Sequence, residues 1–250
     1  MPARVKSEKR MYEERSYRRA SRPVDLFCYE VAVKETDLFC CTSIDLKPFI
    51  AEKALFYRNQ LEAYIRLRPE FFSSLLPVGE DTLAPRIACE MIAAAHRVGV
   101  GPMACVAGAI AEYIGRDVNP LADEYIIENG GDICLRTQRP RTVAVYAGDS
   151  PYSGRIGVTL KAREQPYGVC TSSATVGPSL SFGKADAVCV ISGSALFSDG
   201  LATRLGNLVA EEDEIGPALE EAKRFPEVMG VLIVLGRKLG VWGDVDLTKL

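Results

Sequence analysis

Two strand-like runs, Tyr125-Ile126-Ile127-Glu128 and Ile133-Cys134-Leu135-Arg136, stand either side of Asn129-Gly130-Gly131-Asp132. Asn-Gly and Gly-Gly tolerate the positive φ angles of a tight turn between antiparallel strands, so the chain folds back on itself here. The pattern recurs. Residues 25–33 and 38–45 flank the polar Lys34-Glu35-Thr36-Asp37, and residues 229–235 and 239–242 form a last pair. Further strands are expected at 142–147, 155–162 and 185–191. Strands that arrive as hairpins, without regular alternation of strand and helix, favour an α+β fold with antiparallel sheets over a doubly wound parallel sheet.

Helices fill the intervals. Pro48 opens a helix to about residue 68, with Ile50, Ala54, Leu55, Leu61 and Ile65 near helical spacing. A second is expected over 85–98 and a third over 103–114. The third is rich in Ala and Gly, which permits close approach by another backbone or a ligand. Two more are expected at 198–210 and 213–224. Strand pair and helix pair thus echo in both halves, without a sequence repeat and without a linker, so residues 23–250 read as one domain. Residues 1–22 are set apart by charge: Arg4, Lys6, Lys9, Arg10, Arg15, Arg18, Arg19 and Arg22 stand against Glu8, Glu13 and Glu14. They read as a solvated basic arm, or as an anion-attracting arm that folds over a ligand or a subunit neighbour.

Composition narrows the function classes. A formal charge of −3 gives no electrostatic reason to expect nucleic acid. No apolar run reaches the roughly 18–20 residues of a membrane helix, and the arm lacks the apolar core of a secretory signal. The eight cysteines include no C-x-x-C pair and read as small buried hydrophobes, not as a disulfide framework. That agrees with a reducing, cytoplasmic setting. The single histidine, His96, lies on an Ala-rich helix and argues against a zinc site of the usual kind.

Three polar segments at ends of apolar runs carry the chemistry. In Asn129–Asp132, adjacent glycines offer backbone N–H groups with no Cβ in the way, or serve only the turn. Thr171-Ser172-Ser173 offers hydroxyls to phosphates or a heterocycle edge, or is a Ser/Thr-rich loop. Ser172 is no catalytic serine, since no Gly-x-Ser-x-Gly elbow surrounds it. In Ser198-Asp199-Gly200-Leu201-Ala202-Thr203, Asp199 suits an N-cap. It also shares a helix face with Thr203, and carboxylate with hydroxyl oxygen suits Mg²⁺ bridging to phosphates. No residue is assigned as catalytic.

Together the segments resemble the ApbE family, FAD-dependent flavin transferases that move FMN onto a protein Thr or Ser. Gly130-Gly131-Asp132 matches the family's Gly-Gly-Asp turn and Thr171-Ser172-Ser173 its Thr-Ser-Gly segment with the third residue changed. Ser198–Thr203 matches its Ala-Asp-x-x-Ala-Thr. The similarity is closest to a cytoplasmic branch labelled ApbE-like or thiamine-biosynthesis-related. It implies two interleaved T-fold-like halves and a pocket lined by Asn129, Gly130, Gly131, Asp132, Thr171, Ser172 and Ser173. Mg²⁺ would be held by Asp199, Thr203 and the carbonyl of Ala104. The implied ligand is FAD, FMN or a related phosphorylated nucleotide, with a protein acceptor. The implied activity is Mg-assisted transfer or hydrolysis at the pyrophosphate. Alternatives are a flavin- or nucleotide-binding protein without catalysis, and an assembly protein with an empty site, with a homo-oligomer left open. One family segment differs: where flavin transferases carry His-x-x-Asp-Pro-x-Thr-Gly, this chain has Gly177-Pro178-Ser179-Leu180-Ser181-Phe182-Gly183-Lys184.

Overall fold

The computed structural model describes residue 18 and residues 22–175 and 181–250; the rest of the basic arm and of the hydroxyl-rich segment lies outside the described residues. The chain opens with the hairpin β1 (Phe27–Val33) and β2 (Thr36–Thr42). Helices α1 (Lys47–Leu67), α2 (Pro69–Ser73) and α3 (Arg86–Val98) follow, then a 3-10 turn (Pro102–Cys105) that leads into α4 (Val106–Val118). The second hairpin is β3 (Tyr125–Asn129) and β4 (Asp132–Thr137). After β5 (Arg141–Ala144) and β6 (Ile156–Leu160) come β7 (Arg163–Ser172) and β8 (Ala187–Ser192). Helices α5 (Ala195–Asn207) and α6 (Ile215–Ala222) precede β9 (Gly230–Leu235), β10 (Lys238–Gly243) and β11 (Asp246–Lys249).

Eight strands form one antiparallel sheet in the order β1-β2-β3-β4-β7-β8-β9-β10, and β11-β6-β5 form a smaller one. Strand pair, helices, strand pair occurs twice, as β1–β4 and again as β7–β10. The halves meet in the sheet at β4–β7, with Asp132 opposite Cys170. On the helix layer they meet where α4 crosses α5. A Cβ at Gly108 would lie 2.3 Å from the Ala195 carbonyl oxygen, so the small-residue run of α4 is what lets the helices touch.

The large sheet is covered on both faces. Cys134, Cys170, Val188 and Val190 join the helices in one core. Their neighbours Leu135, Val169, Cys189 and Ile191 join Val158 and Leu160 of the small sheet in another. That sandwiching explains why β8 is apolar at nearly every position, a pattern of strands buried on both faces.

Three expectations need correction. Cys28 and Cys41 are joined as a disulfide across β1–β2. They are register partners, and pairing across a hairpin leaves no spacing motif in the sequence. The other cysteines are free, and all of them except Cys89 are buried. Helix α5 starts at Ala195 because Ser194 is its N-cap, accepting from the Phe197 N–H; Asp199 does not cap it. Strand β7 begins through Glu164, Gln165 and Pro166, whose polar, solvent-facing character hides it from a hydrophobic pattern.

Candidate functional site

The β3–β4 turn sets the site. Gly130 and Gly131 adopt φ 71° and 105°, a region that residues with a Cβ rarely enter. Beside Gly131 the space is open: an added Cβ would meet nothing nearer than the Thr171 carbonyl oxygen at 3.9 Å. The turn is pinned on both flanks. Asn129 Nδ2 donates to the Ala107 carbonyl at 3.1 Å, and the Gly131 N–H donates to Glu128 Oε1 at 2.9 Å. The Gly131 amide is thus engaged by the protein itself, not held out towards a ligand.

Asp132, the first residue of β4, is 8% exposed and turns towards the helix layer. There it comes within electrostatic reach of Asp199 of α5. Burial, then the charge of Asp199, push the Asp132 carboxyl well above the ordinary range, while the Cys170 thiol and the Thr171 amide oppose the shift. Its Oδ1 is buried with no hydrogen-bond partner among the described residues. Burial likewise raises the Asp199 carboxyl to about 7, against the pull of the Gly108 and Ala107 amides. Two carboxyls poorly solvated within reach of each other do not both ionise readily.

Asp199 has a second role. Its Oδ2 accepts from the Gly108 N–H at 2.8 Å, and Gly108 lies in the first turn of α4, whose own N-cap residue, Cys105, makes no side-chain capping bond. A carboxylate at a helix N-terminus meets otherwise unsatisfied amides and the positive end of the dipole. Asp199 therefore caps the neighbouring helix. Thr203 lies one turn further along α5, partly open to solvent, and Ala104 lies in the 3-10 turn that leads to the Gly108 amide.

The Thr171–Ser173 segment divides. Ser172 faces the helix layer near Gly206, where an added Cβ would lie 3.6 Å from its Oγ. The Thr171 side chain faces away, bonded to the Cys189 thiol, and only its backbone reaches Asp132. Ser173 is buried and its Oγ accepts from the Thr175 N–H at 3.1 Å, a local turn. The site therefore gathers Asn129, Gly131, Asp132 and Asp199 at the start of α4, with Ser172 near the far end of α5. Sequence reasoning missed Glu128 and the α4 amides; the Ala-Gly run was the available signal for the latter.

Among the described residues no group of three or more His, Cys, Asp or Glu side chains is arranged to hold a metal. Two carboxyls, one with an oxygen that has no partner among the described residues, would suit a cation that completes its shell with backbone, hydroxyl, water and phosphate oxygens, as Mg²⁺ does.

This fold, with two ββ-helix-ββ halves that cross at β4–β7 and α4–α5, is that of the ApbE flavin transferases. The flavinyl transferase ApbE of Pseudomonas stutzeri, apo form, superposes with TM-score 0.56 at 13% identity, covering 87% of this chain and 93% of that one. The ApbE protein from Thermotoga maritima does so with TM-score 0.54 at 12% identity, covering 86% and 96%. Residues 19–224 match the family described as "AbpE bacteria", and the chain belongs to that ApbE-like family. A UPF0280 protein of Methanocaldococcus jannaschii is 40% identical over 232 residues, 89% of this chain and 93% of the relative. Another from Methanocella arvoryzae is 38% identical over 212 residues, 84% and 86%.

Proposed function

We propose that the protein is an enzyme that binds FAD or a related phosphorylated nucleotide together with Mg²⁺ and carries out transfer or hydrolysis at its pyrophosphate. The observation that carries this reading is the Asp132–Asp199 pair, with an Asp132 oxygen that has no partner among the described residues, set beside an open glycine turn in an ApbE-like fold. We assign the cation to Asp199, with the Thr203 hydroxyl and the Ala104 carbonyl, and add Asp132 Oδ1. Magnesium, when bound, supplies positive charge against the pyrophosphate oxygens. The chain does the rest. Gly130 and Gly131 leave room for the ligand against the backbone, and Asn129 holds that turn to α4. Ser172 offers a hydroxyl on the same face of the sheet.

A second reading is binding without turnover. It is favoured by the lack of an imidazole: His96 is bonded to the Val78 carbonyl, and residues 177–184 carry no His or Asp. Titration of the purified protein with FAD, with and without Mg²⁺, followed by assay of FMN and AMP, separates the readings. Magnesium-dependent product release supports the first, and binding without release the second. Neither binding nor release would leave an assembly role. We further propose a protein hydroxyl as acceptor. Among the described residues no single helix is long and apolar enough to cross a membrane.

A further inference from the structure

Arg18 belongs to the segment ahead of β1, yet it is only 3% exposed. Its guanidinium spans two strands. Nε donates to Glu128 Oε2 at 2.8 Å, Nη1 to Asp37 Oδ1 at 2.8 Å and Nη2 to the Asp37 carbonyl at 2.9 Å. Leu38, Cys40 and Ile127 belong to the helix-side core, so alternation turns Asp37, Phe39 and Glu128 to the other face of the sheet. Arg18 packs there, near the Phe39 ring. It contributes no atom to the candidate site.

Glu128 connects the two. It is 4% exposed, and the oxygen that Arg18 does not take, Oε1, accepts the Gly131 N–H. A two-glycine turn has no side chains with which to hold its own shape and has wide backbone freedom. Its geometry depends on outside anchors. One is Asn129 on Ala107; the other is Glu128, a buried carboxylate close enough to Asp132 to disfavour a further negative charge there. A buried carboxylate keeps its charge and its direction when a hydrogen-bonded cation stands against it. A fork-shaped guanidinium that engages Glu128 and Asp37 together also fixes the rotamer of Glu128.

We propose that Arg18 is a positioning residue for the site: through Glu128 it locks the Gly130–Gly131 turn in the shape that receives the ligand. This rests on reading the turn as part of a nucleotide site. The test uses the full chain with Arg18→Met, Arg18→Lys, and the double variant Arg18→Met/Glu128→Gln. Three quantities are read: FAD affinity with Mg²⁺, hydrogen exchange at the Gly131 amide without ligand, and thermal stability. In Arg18→Met, loss of a charge-assisted anchor should weaken FAD binding about tenfold and speed Gly131 exchange by a similar factor. Arg18→Lys should fall between, since an ammonium cannot reproduce the fork. The double variant should recover most of both, because a neutral Gln oxygen still accepts the Gly131 N–H without a buried charge. Should Arg18→Met fail to fold, Arg18→Lys and the double variant carry the comparison. If stability falls while FAD affinity and Gly131 exchange stay at wild-type values, Arg18 is only a clamp and the proposal is overturned. If the wild type does not bind FAD, the nucleotide reading fails, and the Gly131 exchange rates alone decide whether Arg18 holds the turn.

Discussion

Glu124, Glu128 and Asp132 are buried carboxyls within eight residues of one another along the β3–β4 hairpin, and they are treated in opposite ways. Glu124 takes the Arg141 guanidinium at 2.7 Å and the Thr137 hydroxyl at 2.8 Å. Glu128 takes Arg18, and on α4 Glu112 takes Arg116 at 2.6 Å. Asp132, equally buried, faces another carboxyl. Structural charges in this fold are thus compensated by arginine, which is the condition under which a buried carboxylate is tolerated. Among the described residues no arginine or lysine compensates the Asp132–Asp199 pair, a deficit that the proposed cation would offset.

The contrast breaks most visibly at a compensated pair. Arg141→Met removes the guanidinium from Glu124 and should cost about 3 kcal/mol of stability, the scale for stripping one partner from a buried pair. Denaturant unfolding reads this, with Mg²⁺ binding unchanged.

At the uncompensated pair the sign reverses. Asp199→Asn removes a repelling charge but keeps an oxygen for the Gly108 amide, so the metal-free protein should gain about 1–2 kcal/mol at pH 8. Asp199→Ala also loses the cap on α4 and should be less stable than Asp199→Asn by about 1 kcal/mol. Equal stability of the two variants would remove the capping role.

The pH dependence follows the same sign. Folding raises the Asp199 carboxyl from 3.8 to about 7 and Asp132 also upwards, so across this window the native state keeps protons that the unfolded chain has released. The pair's contribution to metal-free stability should therefore be full below about pH 4 and be lost as pH rises through about 7. The stabilisation brought by Mg²⁺ should grow over the same range. Melting curves at several pH values, with EDTA and with Mg²⁺, test both statements.

The smallest effect is expected at Thr203. Thr203→Val is nearly isosteric at a partly open position, so stability should stay within about 0.5 kcal/mol. Mg²⁺ affinity should weaken a few-fold through loss of one oxygen.

Hairpins were legible because alternation and glycine turns are local, and the antiparallel α+β architecture followed from them. The polar entry to β7 and the short, exposed β11 were not, since neither carries an apolar period. Gly-Gly-Asp and Asp199 were legible as motifs. Their partners were not: Glu128 turns back to Gly131 from the opposite face, and Asp199 caps a helix 91 residues away in sequence. Thr171 also stood out in sequence, but strand alternation sends its hydroxyl to the wrong side. The Cys28–Cys41 bridge depends on hairpin register, which pairs the two residues directly.

Calorimetric titration of Mg²⁺ in the presence of FAD at pH 8 asks whether the Asp132–Asp199 pair holds a cation. The wild type should bind Mg²⁺, and the folded Asp199→Asn protein should have lost most of that affinity. Equal Mg²⁺ binding by the two proteins, or none by the wild type, would contradict the cation site.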